Sequence, residues 1–258
     1  MGFLSNLVLE RRRALEASPL DDATLMARAM ALPPTRDFVG ALRARDLAVI
    51  AEVKRASPSA GSIADRDPAE RARAYAAGGA AAISVLTEAV HFQGSLADLR
   101  AVRLACALPI LRKDFLIHPA EVIESRAAGA DAVLLIAACL SRNELVALLG
   151  AARDLGLGAL VETHSAEDLD EALSTDAEVI GVNARDLETL EVDVGRALAL
   201  LGSVPAGRIA VMESGISTRA HVRAAVDAGA SGILVGEALM RADDPGATLR
   251  ALVGEETG

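Results

Sequence analysis

The stretch Gly129–Ile136, which reads GADAVLLI, decides the fold because related stretches recur along the chain. Gly78–Leu86 reads GGAAAISVL, and Gly229–Gly236 reads GASGILVG. Each combines a glycine that can end a helix with one or two small residues and a short apolar run. A run that is apolar on both faces is typical of a parallel strand covered by helices. The pattern therefore predicts a repeated helix–strand unit.

Counting the short apolar runs gives eight predicted strands. They are Val49–Val53, Ala82–Leu86, Ile110–Lys113, Ala132–Ile136, Ala159–Glu162, Val179–Val182, Ile209–Met212 and Ile233–Val235. An alanine-rich stretch with charged residues at helical spacing follows each run. These predicted helices are Pro68–Ala77, Leu96–Cys106, Ala120–Ala128, Arg142–Leu155, Ala166–Leu173, Val194–Leu201, Thr218–Ala228 and Pro245–Val253.

Eight such units from residue 48 to residue 258 predict an α/β fold of the (β/α)₈ TIM-barrel type, within a single domain. A doubly wound sheet is the alternative. It is disfavoured because no Gly-x-Gly-x-x-Gly motif follows the first predicted strand.

Residues 1–47 lie outside the repeat and are called the N-terminal extension below. Helices are predicted from Leu15 to Met30 and from Asp37 to Leu47, separated by Leu32-Pro33-Pro34. The extension could be a simple surface addition. The interpretation we favour is that it packs on the barrel, closing one end or helping to hold a substrate there.

Composition restricts the function classes. The 258 residues include 26 basic and 36 acidic side chains, giving a formal net charge of −10. This balance argues against nucleic acid as a partner, whereas a small anion needs only local positive groups. The two cysteines cannot form a disulfide framework for a chain of this size. No apolar run has the length of a membrane span, so we expect a cytoplasmic protein without membrane contact.

Polar residues follow the predicted strands at the end where TIM barrels carry their chemistry. They are Glu52, Lys54, Ser57, Lys113, Glu162, Asn183, Arg185, Glu213, Ser214 and Gly236. An ionisable group at the end of a buried strand is costly unless it is paired or used. One such group could be a structural ion pair, but groups from six strands meeting at one mouth indicate a functional site.

Small residues after the last two strands indicate a phosphate site. Glu213–Ser217 follows the seventh strand, and Leu234–Glu237 follows the eighth. TIM barrels commonly bind phosphate through backbone N–H groups at this place. Each motif alone is compatible with an ordinary tight turn, and their joint placement favours an anion site.

With these motifs in view, the sequence resembles the indole-3-glycerol-phosphate synthase family over nearly its whole length. The stretches that carry the resemblance are Ile50–Ser59, Ser84–Glu88, Phe92–Ser95, Leu111–Phe115, Leu160–His164, Gly181–Leu187 and Glu213–Ile216. The family also has extra helices ahead of its first strand, as the N-terminal extension does here.

The resemblance implies a carboxy-lyase of tryptophan biosynthesis. The substrate would be 1-(2-carboxyphenylamino)-1-deoxyribulose 5-phosphate, and ring closure with loss of CO₂ and water would give indole-3-glycerol phosphate. No metal and no organic cofactor are implied. We expect a small phosphorylated substrate, no nucleic-acid or membrane partner, and a monomeric protein; association with other enzymes of the pathway is left open.

The resemblance also implies residue roles. Lys113 would be the general acid for ring closure, and Glu162 would act in the loss of water. Lys54 would pair with the substrate carboxylate, and Glu52 would orient both lysines. The remaining predicted site residues are Asn183 and Arg185 around the intermediate, Glu213 and Ser214 on hydroxyls, Ser57, Gly215, Gly236 and Glu237 around the phosphate, and Phe92, Phe115, Leu134 and Leu187 along the aromatic ring.

Some positions depart from the family pattern. Many relatives carry Asn, Ser and Asp where this chain has Ala184, Met212 and His118, and Glu237 replaces a common Ser. The four histidines lack metal-ligand spacing and are interpreted as surface groups or groups that support the site. The alternatives to the lyase are another phosphosugar barrel, such as a phosphoribosyl isomerase, a Schiff-base aldolase using Lys113, and a barrel that only binds.

Overall fold

The fold is a closed parallel barrel. A computed structural model describes residues 2–58, 61–63 and 66–254. In this part of the chain, eight parallel strands pair in sequence order, and the first pairs with the last. The strands are β1 (Ala48–Val53), β2 (Ala82–Leu86), β3 (Ile110–Lys113), β4 (Ala132–Ile136), β5 (Gly158–Thr163), β6 (Val179–Asn183), β7 (Ile209–Glu213) and β8 (Gly232–Val235). The predicted (β/α)₈ barrel is confirmed.

Helices alternate with the strands as the repeat predicts, and the eight helices predicted within the repeat keep their bounds within one residue. The helices of the described chain are α1 (Phe3–Ala17), α2 (Asp22–Ala31), α3 (Phe38–Arg43), α4 (Pro68–Ala77), α5 (Leu96–Ala105), α6 (Pro119–Ala128), α7 (Arg142–Asp154), α8 (Ala166–Leu173), α9 (Val194–Leu201), α10 (Arg219–Asp227), α11 (Glu237–Arg241) and α12 (Pro245–Val253). Capping residues start many of them. Before α7, for example, the Glu144 carboxylate accepts from Ser141 N at 2.8 Å while Ser141 Oγ accepts from Glu144 N.

The N-terminal extension differs from the sequence prediction in its helices. The single helix predicted from Leu15 to Met30 is wrong, because α1 already starts at Phe3 and ends at Ala17. Pro19 disfavours a helical backbone at Ser18, and the Asp21 carboxylate accepts from Thr24 N at 3.1 Å to start α2. The helix predicted from Asp37 to Leu47 is also shorter, since α3 ends at Arg43.

The extension runs from one end of the barrel to the other. At the carboxyl ends of the strands, Leu4 N donates to Leu187 O at 3.1 Å. Helix α2 packs along α6. At the amino ends, Arg36 N donates to Asp131 Oδ1 at 2.7 Å, and Phe38 is fully buried near Gly158.

The barrel interior and the extension share one apolar cluster. Ile50, Leu111, Leu134 and Leu160 point into the barrel and join Leu4, Leu7, Phe38 and Leu42 of the extension in that cluster. Two further clusters fill the layer between strands and outer helices. Among the described residues, no helix is long and apolar enough to cross a membrane.

Candidate active site

A cavity opens at the carboxyl ends of the strands and brings together every residue that the sequence predicted for the site. The predicted residues along its wall are Glu52, Lys54, Ser57, Phe92, Lys113, Phe115, Leu134, Glu162, Asn183, Arg185, Leu187, Glu213, Ser214, Gly215, Gly236 and Glu237. Parallel strands end at the same edge, so side chains distant in sequence meet there.

Lys113 lies between two buried carboxylates. Its Nζ is 2.7 Å from Glu162 Oε2 and 2.8 Å from Glu213 Oε2. Burial alone would lower the pKa of Lys113, but the charges of Glu162, Glu213 and Glu52 outweigh it and raise that pKa. Lys113 is therefore an ammonium at neutral pH, with the side chain 14% exposed at the cavity.

Glu162 is held in its ionised form. Burial alone would raise the pKa of Glu162, but the charge of Lys113 and the contact with His164 lower it below the ordinary value. Asn183 Nδ2 donates to Glu162 Oε1 at 3.0 Å. His164 Nε2 lies 3.2 Å from the same oxygen. Each oxygen of this carboxylate thus has a positive or donating neighbour.

Glu213, unlike Glu162, is protonated at neutral pH. Burial raises the pKa of Glu213 to about 8; the charge of Lys113 opposes the rise, and that of Glu162 adds to it. Two buried carboxylates cannot both stay charged around one ammonium without further compensation. Within the described residues, Glu213 Oε1 is buried without a hydrogen-bond partner. A protonated Glu213 is positioned to donate a hydrogen bond.

Glu52 and Lys54 form a second pair at the end of β1. Lys54 Nζ lies 2.7 Å from Glu52 Oε1. Gly236 leaves space for them, since a Cβ there would lie 2.2 Å from Glu52 Oε1 and 3.0 Å from Lys54 Nζ. A side chain at residue 236 would displace this pair. The Glu52–Lys54 pair therefore requires a glycine at residue 236, independently of any anion that binds beside it.

The loop after β6 is organised by its own polar groups. Asn183 Oδ1 accepts from Arg185 N at 3.0 Å, and Arg185 Nη1 donates to Leu190 O at 2.8 Å. Asn183 therefore touches Glu162 with its amide nitrogen and fixes the Arg185 backbone with its amide oxygen. Arg185 lines the cavity from a loop that its own hydrogen bond to Leu190 O holds in place.

Aromatic rings wall the opposite side of the cavity. The Phe92 and Phe115 ring centroids are 6.1 Å apart. The sequence analysis missed Phe3, whose ring lies 6.4 Å from Phe115 in an edge-on arrangement and lines the cavity. Phe3 belongs to α1, which was not predicted there. Its apolar spacing with Leu4 and Leu7 is the signal that could have found it.

The loops at the cavity hold strained backbone. In the described part of the chain, the non-glycine residues with left-handed φ are Gln93 (54°), Leu190 (65°) and Ser214 (60°). Leu190 and Ser214 line the cavity, and Gln93 follows Phe92. Such conformations are uncommon outside glycine and cluster at functional sites. Ser214 and Gly215 (72°) together turn the backbone after β7 toward the cavity.

Glu237 lies at the first turn of α11, next to Gly236. Its Oε1 accepts from Arg241 Nε at 3.0 Å, one helical turn further along. The carboxylate is thus drawn along the helix surface toward Arg241. The backbone beside Gly236 remains the part of this segment suited to an anion.

The chain has only two lysines, Lys54 and Lys113, against 24 arginines. Both lysines line the cavity. An arginine stays protonated under all ordinary conditions, whereas a lysine can give up its proton. The presence of lysine at these two positions of an otherwise arginine-based chain is a sequence signal for proton chemistry at the site.

The three positions at which the sequence was expected to depart from the family pattern lie in different surroundings. Met212 packs in the core between barrel and helices. His118 is exposed and caps α6, accepting from Ala120 N at 3.2 Å. Ala184 is fully buried and its N donates to Glu213 O at 2.9 Å, so its backbone continues the β6–β7 pairing.

Comparison with known proteins identifies relatives over the full length. A family model described as indole-3-glycerol phosphate synthase matches residues 4–252. Indole-3-glycerol phosphate synthase 2 of Streptomyces coelicolor is 49% identical, with 98% of this chain and 99% of that protein covered. The indole-3-glycerol phosphate synthase of Azoarcus sp. is 50% identical, with 93% of each chain covered.

Solved structures share the fold at much lower identity. A 3-hexulose-6-phosphate synthase superimposes with a TM-score of 0.63 at 18% identity, over 83% of this chain and 100% of that one. A thiamine phosphate pyrophosphorylase from Pyrococcus furiosus superimposes with a TM-score of 0.58 at 19% identity, over 81% of this chain and 94% of that one. These likenesses show the barrel architecture alone.

Proposed function

The chain belongs to the indole-3-glycerol phosphate synthase family, and on that premise we propose how its cavity carries out the reaction. The chain is a carboxy-lyase of tryptophan biosynthesis. It converts 1-(2-carboxyphenylamino)-1-deoxyribulose 5-phosphate to indole-3-glycerol phosphate by ring closure, decarboxylation and dehydration.

Lys113 is the proposed general acid for ring closure. When the ring carbon that bears the carboxylate attacks the ketone, the ketone oxygen becomes an alkoxide that needs a proton. The ammonium of Lys113, held between Glu162 and Glu213, can supply it. Apolar walls lower the local dielectric and strengthen the attraction between this ammonium and the developing alkoxide. Loss of CO₂ then restores the aromatic ring.

Glu162 is the proposed base for the loss of water. The hydroxyl formed in ring closure takes up a proton from a lysine of the cavity and leaves as water, while a proton is removed from the neighbouring carbon to create the new double bond of the indole. An ionised carboxylate is needed to accept that proton, and the contacts of Glu162 keep it ionised. Protonated Glu213 is suited to hold a substrate hydroxyl through its unpaired oxygen.

The remaining residues are proposed to bind and orient. Lys54 would exchange its contact with Glu52 for the substrate carboxylate, and Arg185 would hold the intermediate. Phe92, Phe115, Leu134 and Leu187 would flank the aromatic ring. The backbone around Ser57, Gly215, Gly236 and Glu237, with Ser214 beside it, would receive the phosphate, because small residues let an anion approach N–H groups closely.

We also propose that residues 1–47 and the barrel function as one domain, and that the monomer, in the cytoplasm, is the active unit. The shared apolar cluster and the place of Phe3 at the cavity support the first point. Light scattering at assay concentration would test the second. A dimer that dissociates with loss of activity would contradict it.

The placement of Lys113 is the observation that carries the proposal. A Schiff-base aldolase would need a neutral lysine, whereas two carboxylates stabilise the charged form here. The test is the appearance of indole fluorescence when the purified protein meets the carboxyphenylamino substrate. Fluorescence that persists in Lys113→Ala at the wild-type rate would contradict the assignment.

A further inference from the structure

His164 occupies a position that the proposed mechanism does not use. It directly follows Thr163, the last residue of β5, so that it faces the same side as Glu162 two residues earlier. Its side chain is only 9% exposed. Nε2 lies 3.2 Å from Glu162 Oε1, and Nδ1 lies 3.7 Å from Asp168 Oδ2. The imidazole is thus sandwiched between two carboxylates.

The surroundings fix His164 in place. Asp168, in the first turn of α8, accepts from His164 N at 2.8 Å and from Ser165 N at 3.2 Å. Arg196 Nη1, from α9, donates to His164 O at 2.7 Å. The backbone on both sides of the imidazole is therefore tied to a neighbouring helix.

A second cation beside one of the two buried carboxylates would decide which of them is ionised. Glu162 and Glu213 are each about 1% exposed and share the single ammonium of Lys113. An imidazolium at residue 164 would be a second cation. It contacts Glu162 Oε1, whereas the contact of Glu213 Oε2 is with Lys113. The two carboxylates are thereby made unequal.

We propose that His164 is a positioning residue for the reaction: as an imidazolium between Glu162 and Asp168, it keeps Glu162 the ionised member of the Glu162–Glu213 pair. This inference rests on the proposed role of Glu162 as the base. It goes beyond that role because a residue that does not contact the substrate then determines which of the two carboxylates is ionised.

The carboxylates that face His164, Glu162 on β5 and Asp168 on α8, favour its charged form. The positive charges of Arg196 on α9 and of Lys113, which lies beyond Glu162 together with Glu213, oppose it. The Cys139 thiol is influenced by the same two carboxylates. Burial, together with the charges of Glu162 and Asp168, raises the pKa of this thiol, so it stays neutral. Burial alone would lower the pKa of His164, but Asp168 and Glu162 raise it to about 9.

The first test replaces the imidazole by a neutral side chain. His164→Gln retains an N–H donor that can reach Glu162 but cannot become charged. We expect kcat to fall by about tenfold or more while KM stays within about twofold, since substrate contacts are unchanged. His118→Asn, at an exposed capping position, is the matched control and should retain wild-type kcat. A wild-type kcat in His164→Gln would overturn the proposal.

The second test uses a readout that a merely structural role would not move. Asp168→Asn can still accept the backbone hydrogen bonds at the start of α8 but removes one negative charge beside the imidazole. The pKa of His164 should fall, so the decline of kcat at alkaline pH should begin at a lower pH than in the wild type. Superimposable pH profiles of kcat for the two proteins would overturn the proposal.

A third variant separates this inference from the proposed function. Glu162→Gln should lose nearly all activity, and it should also lower the pKa of the His164 imidazole, which NMR of histidine-labelled protein can follow. Full activity in Glu162→Gln would contradict the base assignment. Loss of activity there, with normal kcat in His164→Gln, would overturn only the role of His164.

Discussion

At the scale of single residues, the division of labour at the cavity depends on which groups carry protons. Lys113 is charged because two carboxylates contact its Nζ. Lys113→Arg keeps a positive charge but removes a group able to release a proton. We expect kcat to fall by roughly 10²–10⁴ in both Lys113→Arg and Lys113→Ala, the usual contribution of a general acid.

Measuring single-turnover rates together with substrate affinity would check this expectation. Binding should persist in Lys113→Arg. Borohydride added during turnover should trap no adduct, and mass spectrometry can search Lys54 and Lys113, the only lysines of the chain. A reduced adduct on Lys113 would favour the aldolase chemistry instead.

Glu237 provides a second prediction at this scale. A carboxylate that faced the phosphate would repel it, but Glu237 pairs with Arg241 along the helix. Replacing Glu237 with Ser should therefore change KM by less than about tenfold, or ~1.4 kcal/mol. Steady-state kinetics of Glu237→Ser would check this. The comparison variant is Arg241→Gln, which removes the partner of the Glu237 carboxylate. A much larger gain in affinity for Glu237→Ser would show that the carboxylate faces the ligand.

At the scale of elements, the two ends of the N-terminal extension have different tasks. Helix α1 brings Phe3 to the cavity, whereas α3 buries Phe38 and Leu42 beneath the strands. A variant lacking residues 1–17 should therefore fold and bind substrate more weakly. Phe38→Ala should instead lower the free energy of unfolding by about 3–5 kcal/mol, since Phe38 is fully buried.

Urea titrations and substrate affinity, measured on both variants, distinguish the two tasks. Phe3→Ala is the milder companion to the deletion and should weaken binding without lowering the urea midpoint. Unchanged KM and kcat in the protein lacking residues 1–17 would refute a role of α1 in substrate handling.

The sequence predicts elements well where local patterns decide them. The run Ala132–Ile136 is apolar on both faces and follows Gly129, which adopts a left-handed φ of 96° as a helix end. The position of Phe3 could not be derived in this way, because the carbonyls of Leu187 and Glu188 set the place of α1. Likewise, strand ends predict that Glu162 and Glu213 meet Lys113, but only the other neighbours of each carboxylate in the folded protein decide which one keeps the proton.

At the scale of the whole molecule, the buried carboxylates connect stability to pH. Burial raises the pKa of Glu213 from 4.5 to about 8, so the folded state holds a proton there that the unfolded chain releases above pH 4.5. The free energy of unfolding should therefore fall as pH rises from about 5 to 8, by at most ~1.4 kcal/mol per pH unit from this group. Urea midpoints for wild type and Glu213→Gln across this pH range would measure this contribution. If the midpoints of the two proteins changed equally with pH, the raised pKa of Glu213 would be contradicted.

Metal dependence is a further property of the whole protein. At the cavity, Glu52 already contacts Lys54 and ionised Glu162 contacts Lys113, while burial raises the pKa of Glu213 and keeps it protonated. Activity should therefore survive dialysis against EDTA. Activity that is lost and then returns with a divalent ion would contradict this prediction.

The path of the N-terminal extension also sets an order of events during synthesis. Ser5 meets Glu188 across 183 positions of chain, an interval that a ribosome needs roughly 10 to 40 s to translate. The N-terminal extension leaves the ribosome before the loop after β6 and thus finds its partners late. Until β6 and its following loop have emerged, the apolar face formed by Phe3, Leu4 and Leu7 lacks part of the surface that covers it, so nascent chains expose this face to water.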